Sequence, residues 1–191
     1  MIDRRAVLAG GMALGLLPHR SPAASARFAI DWQNGPETPA VAQSLAAQIA
    51  LVERLQIRPA IAAFFAAQPI AVDREVGTHT RAGSHGIFFE RRPVPPDNPV
   101  LLHELLHRYQ LLRLPGGVAN TTVRDFYDRA RASGRYPSEA YMLTNPFEFY
   151  AMMASVVLHG RASRPPYRRA EVAQGSPDMY AWIVADFGLI V

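Results

Sequence analysis

The apolar positions of this 191-residue chain change their period along its length. Val41, Leu45, Ile49 and Val52 recur at helical spacing inside an alanine-rich stretch, so a helix is expected over residues 40–55. Residues 61–67 are apolar throughout, and so short a run suits either a helix or a buried strand. From 72 to 89 the chain turns strand-like, with Gly86-Ile87-Phe88-Phe89 the clearest strand. A proline-rich turn follows (Pro93, Pro95, Pro96). Asp97-Asn98-Pro99 then has a capping side chain ahead of a first-turn proline, which marks a helix start. That helix should run from about 99 to 112 and stop at Pro115-Gly116-Gly117. Further helices are expected over 122–133, ended by Gly134, over 145–160, and over 177–187. A few strands followed by several helices predict an α+β fold.

Composition narrows this picture. Hydrophobic residues make up 49% and charged residues 19%, the balance of a globular domain. The length suits one domain rather than two. There is no lysine, so all 20 basic residues are arginine, set against 16 acids. These arginines are scattered or interleaved with acids, as in Arg124-Asp125 and Asp128-Arg129, so nucleic acid is not an expected partner. Cysteine is absent. Any metal must therefore sit on imidazole and carboxylate, without thiolate.

The first 26 residues belong to targeting rather than fold. Arg4-Arg5 precede an apolar run from Ala6 to Leu17 that is too short to span a bilayer, and Ala24-Ser25-Ala26 forms a small-x-small cleavage site. This is the pattern of a signal peptide, of the twin-arginine or the general secretory type. The expectation is an exported protein, periplasmic or secreted, with a single mature domain over 27–191. No second apolar run offers a stable membrane anchor once the signal is removed.

The chemistry concentrates in His103-Glu104-Leu105-Leu106-His107, an HExxH motif inside the helix predicted over 99–112. Four-residue spacing puts both imidazoles on one helix face, able to share one ion, with Glu104 beside them to take a proton from water. Catalytic zinc needs a third protein ligand and an open position. A metzincin would have Gly and His three and six residues after the second histidine, where this chain has Gln110 and Arg113. A carboxylate from a later helix remains. Glu148, early in an otherwise apolar helix, is the leading candidate, because an acid there is costly unless paired or metal-bound. Glu139, in a loop-like stretch, is the weaker alternative. His79 and His85 read as surface loop residues, and His159 lies three turns from Glu148, too far to ligate the same ion.

The stretch Tyr141-Met142-Leu143-Thr144-Asn145-Pro146-Phe147-Glu148-Phe149-Tyr150-Ala151 resembles the third-ligand region of the anthrax lethal factor-like metallopeptidases, zincins of the gluzincin type. The likeness covers about 84–187. It implies a zincin-like domain: a small sheet, an active-site helix carrying HExxH and a C-terminal helical part. It also implies Zn2+ held by His103, His107 and Glu148, Glu104 as general base, and Tyr141 stabilising the oxyanion or protonating the leaving group. Tyr136 and Tyr150 compete for that last role. Two departures stand out: Leu106 where the family often has Gly, and Met152 where it often has an acid. The family's known protein substrates do not transfer.

The function expected is therefore an exported zinc peptidase acting on a peptide or protein substrate through a metal-activated water. A zinc-binding, non-catalytic interaction module is the alternative, and the intact Glu104 argues against it. In zincins the strand before the metal-binding helix runs along the cleft. Residues 86–90 are accordingly expected to form an exposed edge strand that pairs with substrate, with Phe88 and Phe89 facing opposite ways.

Overall fold

A computed structural model describes residues 28–33 and 35–190. The expected signal segment, 1–26, lies outside the described residues. The architecture is α+β. Among the described residues there are four short strands, β1 (Ile30–Trp32), β2 (Ile70–Val72), β3 (Arg81–Ala82) and β4 (Ile87–Phe89). Seven α-helices accompany them: α1 (Pro39–Glu53), α2 (Pro59–Ala66), α3 (Val100–Arg113), α4 (Thr121–Ser133), α5 (Pro146–His159), α6 (Arg169–Gly175) and α7 (Pro177–Phe187).

The ambiguous run at 61–67 is helical. Pro59 opens α2, and Ile61, Phe64 and Phe65 are buried at the i, i+3, i+4 spacing of one helix face. Helix α4 starts at Asn120, whose side chain accepts from the Val123 amide, and ends at Gly134 in the left-handed conformation (φ 63°). Helix α5 starts likewise at Asn145, which accepts from the Phe147 and Glu148 amides. From Phe149 to Leu158 every residue of α5 is buried. A helix apolar on all sides belongs at the centre, and α5 packs most extensively on α3. Each fully buried Leu, Phe or Met along this contact contributes about 1.5–3 kcal/mol.

Two expectations need correction. Neither Asp97 nor Asn98 caps α3. Pro99 is itself the cap residue, with no capping side chain of its own. Buried Gln48 on α1 does the work, accepting from the Leu101 amide (3.2 Å) and donating to the Asn98 carbonyl (2.9 Å). The second correction concerns the sheet, whose order is β1-β2-β4-β3. β2 pairs β4 in parallel and β3 pairs it antiparallel, so β4 is internal and the proposed edge strand at 86–90 is not an edge. The cleft-side edge is β3, five residues earlier, which periodicity cannot detect in a two-residue strand. Phe88 and Phe89 do face opposite ways: Phe89 is fully buried, and Phe88 carries the Arg81 guanidinium against its ring at 4.7 Å. Gly86 is needed where β4 begins, because a Cβ there would lie 2.4 Å from the Pro69 carbonyl oxygen.

Candidate active site

Helix α3 carries His103 and His107 one turn apart, and α5 crosses it so that Glu148 meets both rings. The Oε2 atom of Glu148 lies 3.0 Å from His103 Nε2 and 3.3 Å from His107 Nε2. One ligand-type atom from each of the three residues lies within 4.8 Å of the other two. All three side chains are largely buried, with 12%, 5% and 18% of their surface exposed.

Burial sets the charges. Desolvation holds His107 below its ordinary pKa, which favours the neutral ring. Burial alone would raise the Glu148 carboxyl, but the hydrogen bonds to His103 and His107 outweigh it and hold the group well below the usual carboxylate range. A neutral imidazole and an ionised carboxylate are the protonation states a divalent cation requires. His107 is stacked on the Phe147 ring at 4.0 Å, and its Nδ1 is buried with no hydrogen-bond partner among the described residues. Its orientation is thus fixed by packing between α3 and the first turn of α5.

Glu104 faces the same cleft from α3. Burial pushes its carboxyl up to about 7, against the lowering effect of His103 and of the Ala82 amide, which donates to its Oε2 at 2.7 Å. A carboxyl poised near neutrality suits a group that takes up and releases a proton. The edge strand is held in turn by α3: Arg108, next to His107, donates to the carbonyls of Gly83 (2.9 Å) and Ser84 (2.8 Å) and to Gln68 Oε1 (3.0 Å). Successive residues of one helix therefore face the cleft and tie down its opposite wall.

Tyr141 stands in the short 3-10 turn before α5, half-exposed, its ring 6.3 Å from that of His103. Burial, with the Glu148 carboxylate in hydrogen-bonding reach, pushes its hydroxyl up to about 12, so it stays a neutral donor. Its two competitors face elsewhere. Tyr150 is fully buried, and Tyr136 reaches Ser176 Oγ at 3.1 Å. Glu139 is exposed and among the described residues bonds only its neighbour Ser138, outside the cluster. His159 lines a separate hollow with Arg54 and Arg169.

The cleft has a volume of about 380 Å³ and is walled by Thr80, Pro99, Val100, Met152 and Ala162 as well as by His103, Glu104 and Tyr141. His79, read from sequence as a surface loop residue, lies on this wall. Met152, at the position where an acid was missed, presents an apolar side chain to the cleft. The Ala82 amide and the segment 162–164 escaped the sequence reading, since neither carries a motif.

Comparison with solved structures finds the same fold elsewhere. The chain resembles the Pro-Pro endopeptidase PPEP-2 from Paenibacillus alvei, with a TM-score of 0.56 over 83% of this chain and 97% of that one. Sequence identity is 15%, so the likeness is one of fold. No family model matches the chain, and no curated protein matches it.

Proposed function

We propose that this chain is a zinc-dependent peptidase that hydrolyses peptide bonds of peptide or protein substrates. The observation that carries the proposal is the convergence of His103, His107 and Glu148 within 4.8 Å, with His103 lining a cleft that Glu104 and Tyr141 also line. The donor set fits zinc: two imidazole nitrogens and one carboxylate oxygen are borderline-soft, and three protein ligands leave a position free. A zinc ion held there supplies Lewis acidity toward a carbonyl and lowers the pKa of water. Glu104, fixed by the Ala82 amide, takes a proton from the attacking water and returns it to the leaving amine. Tyr141, kept neutral, donates to the developing oxyanion or to the leaving group. The similarity in fold to an endopeptidase supports the same reading.

The proposal includes export, with a mature N-terminus at Arg27. Its support is the order of Arg4-Arg5, the apolar run and Ala24-Ser25-Ala26. Sequencing the N-terminus from the periplasmic or secreted fraction tests this half independently of the chemistry. For the chemistry, purified protein should contain one zinc per chain and cleave unfolded casein, with cleavage lost to chelator and restored by zinc. Stoichiometric zinc without cleavage of any peptide would instead point to a binding module. No zinc, even after reconstitution, would remove the site assignment.

A further inference from the structure

The loop after α5 brings a cation to the cleft that nothing in the catalytic reading uses. Residues 161–168 turn back on themselves through an antiparallel bridge between Arg161 and Arg168, and the Ala162 amide donates to the Tyr167 carbonyl at 2.9 Å. Arg169 clamps the base of the loop, donating to the carbonyls of Val157 (2.6 Å) and Leu158 (3.1 Å) at the end of α5. The loop is thereby fixed to the helix that carries Glu148. Its exposed Arg164 lines the cleft, with the guanidinium carbon 5.0 Å from the centre of the Tyr141 ring.

Among the residues that line the cleft, Arg164 is the single arginine. It has no hydrogen-bond or ion-pair partner among the described residues. The carboxylates nearby are committed elsewhere. Glu90 is bound by Arg92 and Thr80, Glu104 by the Ala82 amide, and Glu148 by the two histidines. Stacking on an aromatic face leaves the edge N–H groups of a guanidinium free, in a planar fork that matches a carboxylate.

Resting on the peptidase reading above, we infer that Arg164 selects substrates bearing a carboxylate close to the scissile bond, on the Tyr141 side of the cleft. The carboxylate comes from an Asp or Glu side chain or from a free C-terminus, and the apolar walls at Val100, Met152 and Ala162 accept neighbouring side chains. Charge-assisted hydrogen bonds of this kind are about twice as strong as neutral ones.

The test uses internally quenched peptides that differ only in Glu against Gln at each position around the cleaved bond, each made with a free and an amidated C-terminus. Zinc-loaded wild-type protein should favour the carboxylate at one location by about tenfold or more in kcat/KM, the scale expected for a hydrogen bond to a charged group. Preference for Glu at an internal position identifies a side-chain carboxylate, and preference for the free acid identifies a C-terminal one. Arg164→Gln should collapse that ratio to near one, Arg164→Lys should restore part of it, and Arg164→Glu should turn the preference toward Lys. A ratio that survives Arg164→Gln overturns the inference. So does an equal loss on every peptide, which would mean that Arg164 only supports Tyr141. Binding of the same peptides to zinc-loaded Glu104→Gln protein, with and without Arg164→Gln, separates the two claims. Carboxylate-selective binding lost with Arg164, in a protein whose wild type cleaves nothing, defeats the peptidase reading alone. Cleavage without carboxylate selectivity in rate or binding defeats the Arg164 assignment alone.

Discussion

The two walls of the cleft are built on different principles. One wall is helical: His103, Glu104 and His107 sit on α3, Glu148 sits on α5, and the apolar face between those helices fixes their crossing. The other is made of a two-residue strand and a loop. The Ala82 amide, His79 and the segment 162–164 are positioned by bonds from Arg108 to the Gly83 carbonyl, from Arg81 to the His79 carbonyl and from Arg169 to the Val157 carbonyl. The first wall draws its geometry from the 3.6-residue period and a well-packed core, and it holds every group assigned to the chemistry except Tyr141. The second draws it from three arginines that fasten backbone or carboxylate oxygens. Segments of that kind can change without disturbing a fold, which is where recognition tends to reside.

The sharpest way to break the helical wall is to remove its carboxylate. Glu148→Ala should lower zinc affinity by more than about 100-fold, beyond the loss usual for a residue that only supports a ligand. Glu139→Ala should leave zinc content at one per chain. Metal analysis after dialysis against a zinc buffer reads both, and the reverse pattern would move the third ligand to the loop. Somewhat smaller, and confined to rate, is the effect of Glu104→Gln. The amide keeps the shape and cannot accept a proton, so kcat should fall by about 100- to 10,000-fold with zinc retained. A Glu104→Gln protein of normal activity would leave the proposed mechanism without its base.

The same contrast explains what the sequence discloses. Histidines four apart within a leucine-rich helix have their geometry dictated by the helix itself, so His103 and His107 can be read off without a structure. Asn145-Pro146 announces the start of α5, and an acid three residues into an apolar helix draws notice to Glu148. The edge strand gives no such signal. Residues 81–82 are too few for a period, and their place in the sheet depends on Arg108, whose role is invisible until α3 is packed against the turn. Strand β4 misleads for the opposite reason: Ile87-Phe88-Phe89 is conspicuously strand-like because it is internal, with a partner on each side. Strand β1 is half-exposed and only three residues long, and α6 has one buried residue in seven, so neither carries a readable stripe.

Arg108 offers a way to loosen the second wall while sparing the first. Arg108→Met keeps much of the aliphatic stem but leaves the Gly83 and Ser84 carbonyls and Gln68 Oε1 without their donor. Leaving partly buried acceptors unpaired costs about 1–3 kcal/mol, which a urea melt would read as a lower midpoint. Zinc content should not change, because no ligand moves, whereas kcat/KM should fall as the Ala82 amide loses its fixed position against Glu104. Loss of zinc in this variant would mean that the two walls are one cooperative unit.

The smallest expected effect lies at the outer side of the edge strand, where Arg81 and Thr78 bind the buried Asp73 carboxylate. Thr78 Oγ1 donates to Asp73 Oδ2 at 2.6 Å, and the second guanidinium nitrogen of Arg81 donates to Oδ1 at 3.1 Å. Burial alone would raise the Asp73 carboxyl, but these hydrogen bonds outweigh it and hold the folded-state pKa below the ordinary 3.8. A depressed carboxyl contributes its stability fully above the unfolded-state value and loses it as pH falls through the folded-state value. Because the Arg81 side chain is 48% exposed, the ion pair is screened, and its contribution should be near the surface range of about 0.2–1 kcal/mol. Asp73→Asn should therefore show a small, constant deficit in urea midpoint from pH 7 to pH 5, and the gap to wild type should close as the pH drops below 3.8. A gap that persists unchanged at pH 3 and below would show that the carboxylate charge is not what fastens this strand, leaving the turn and Arg108 to hold the edge.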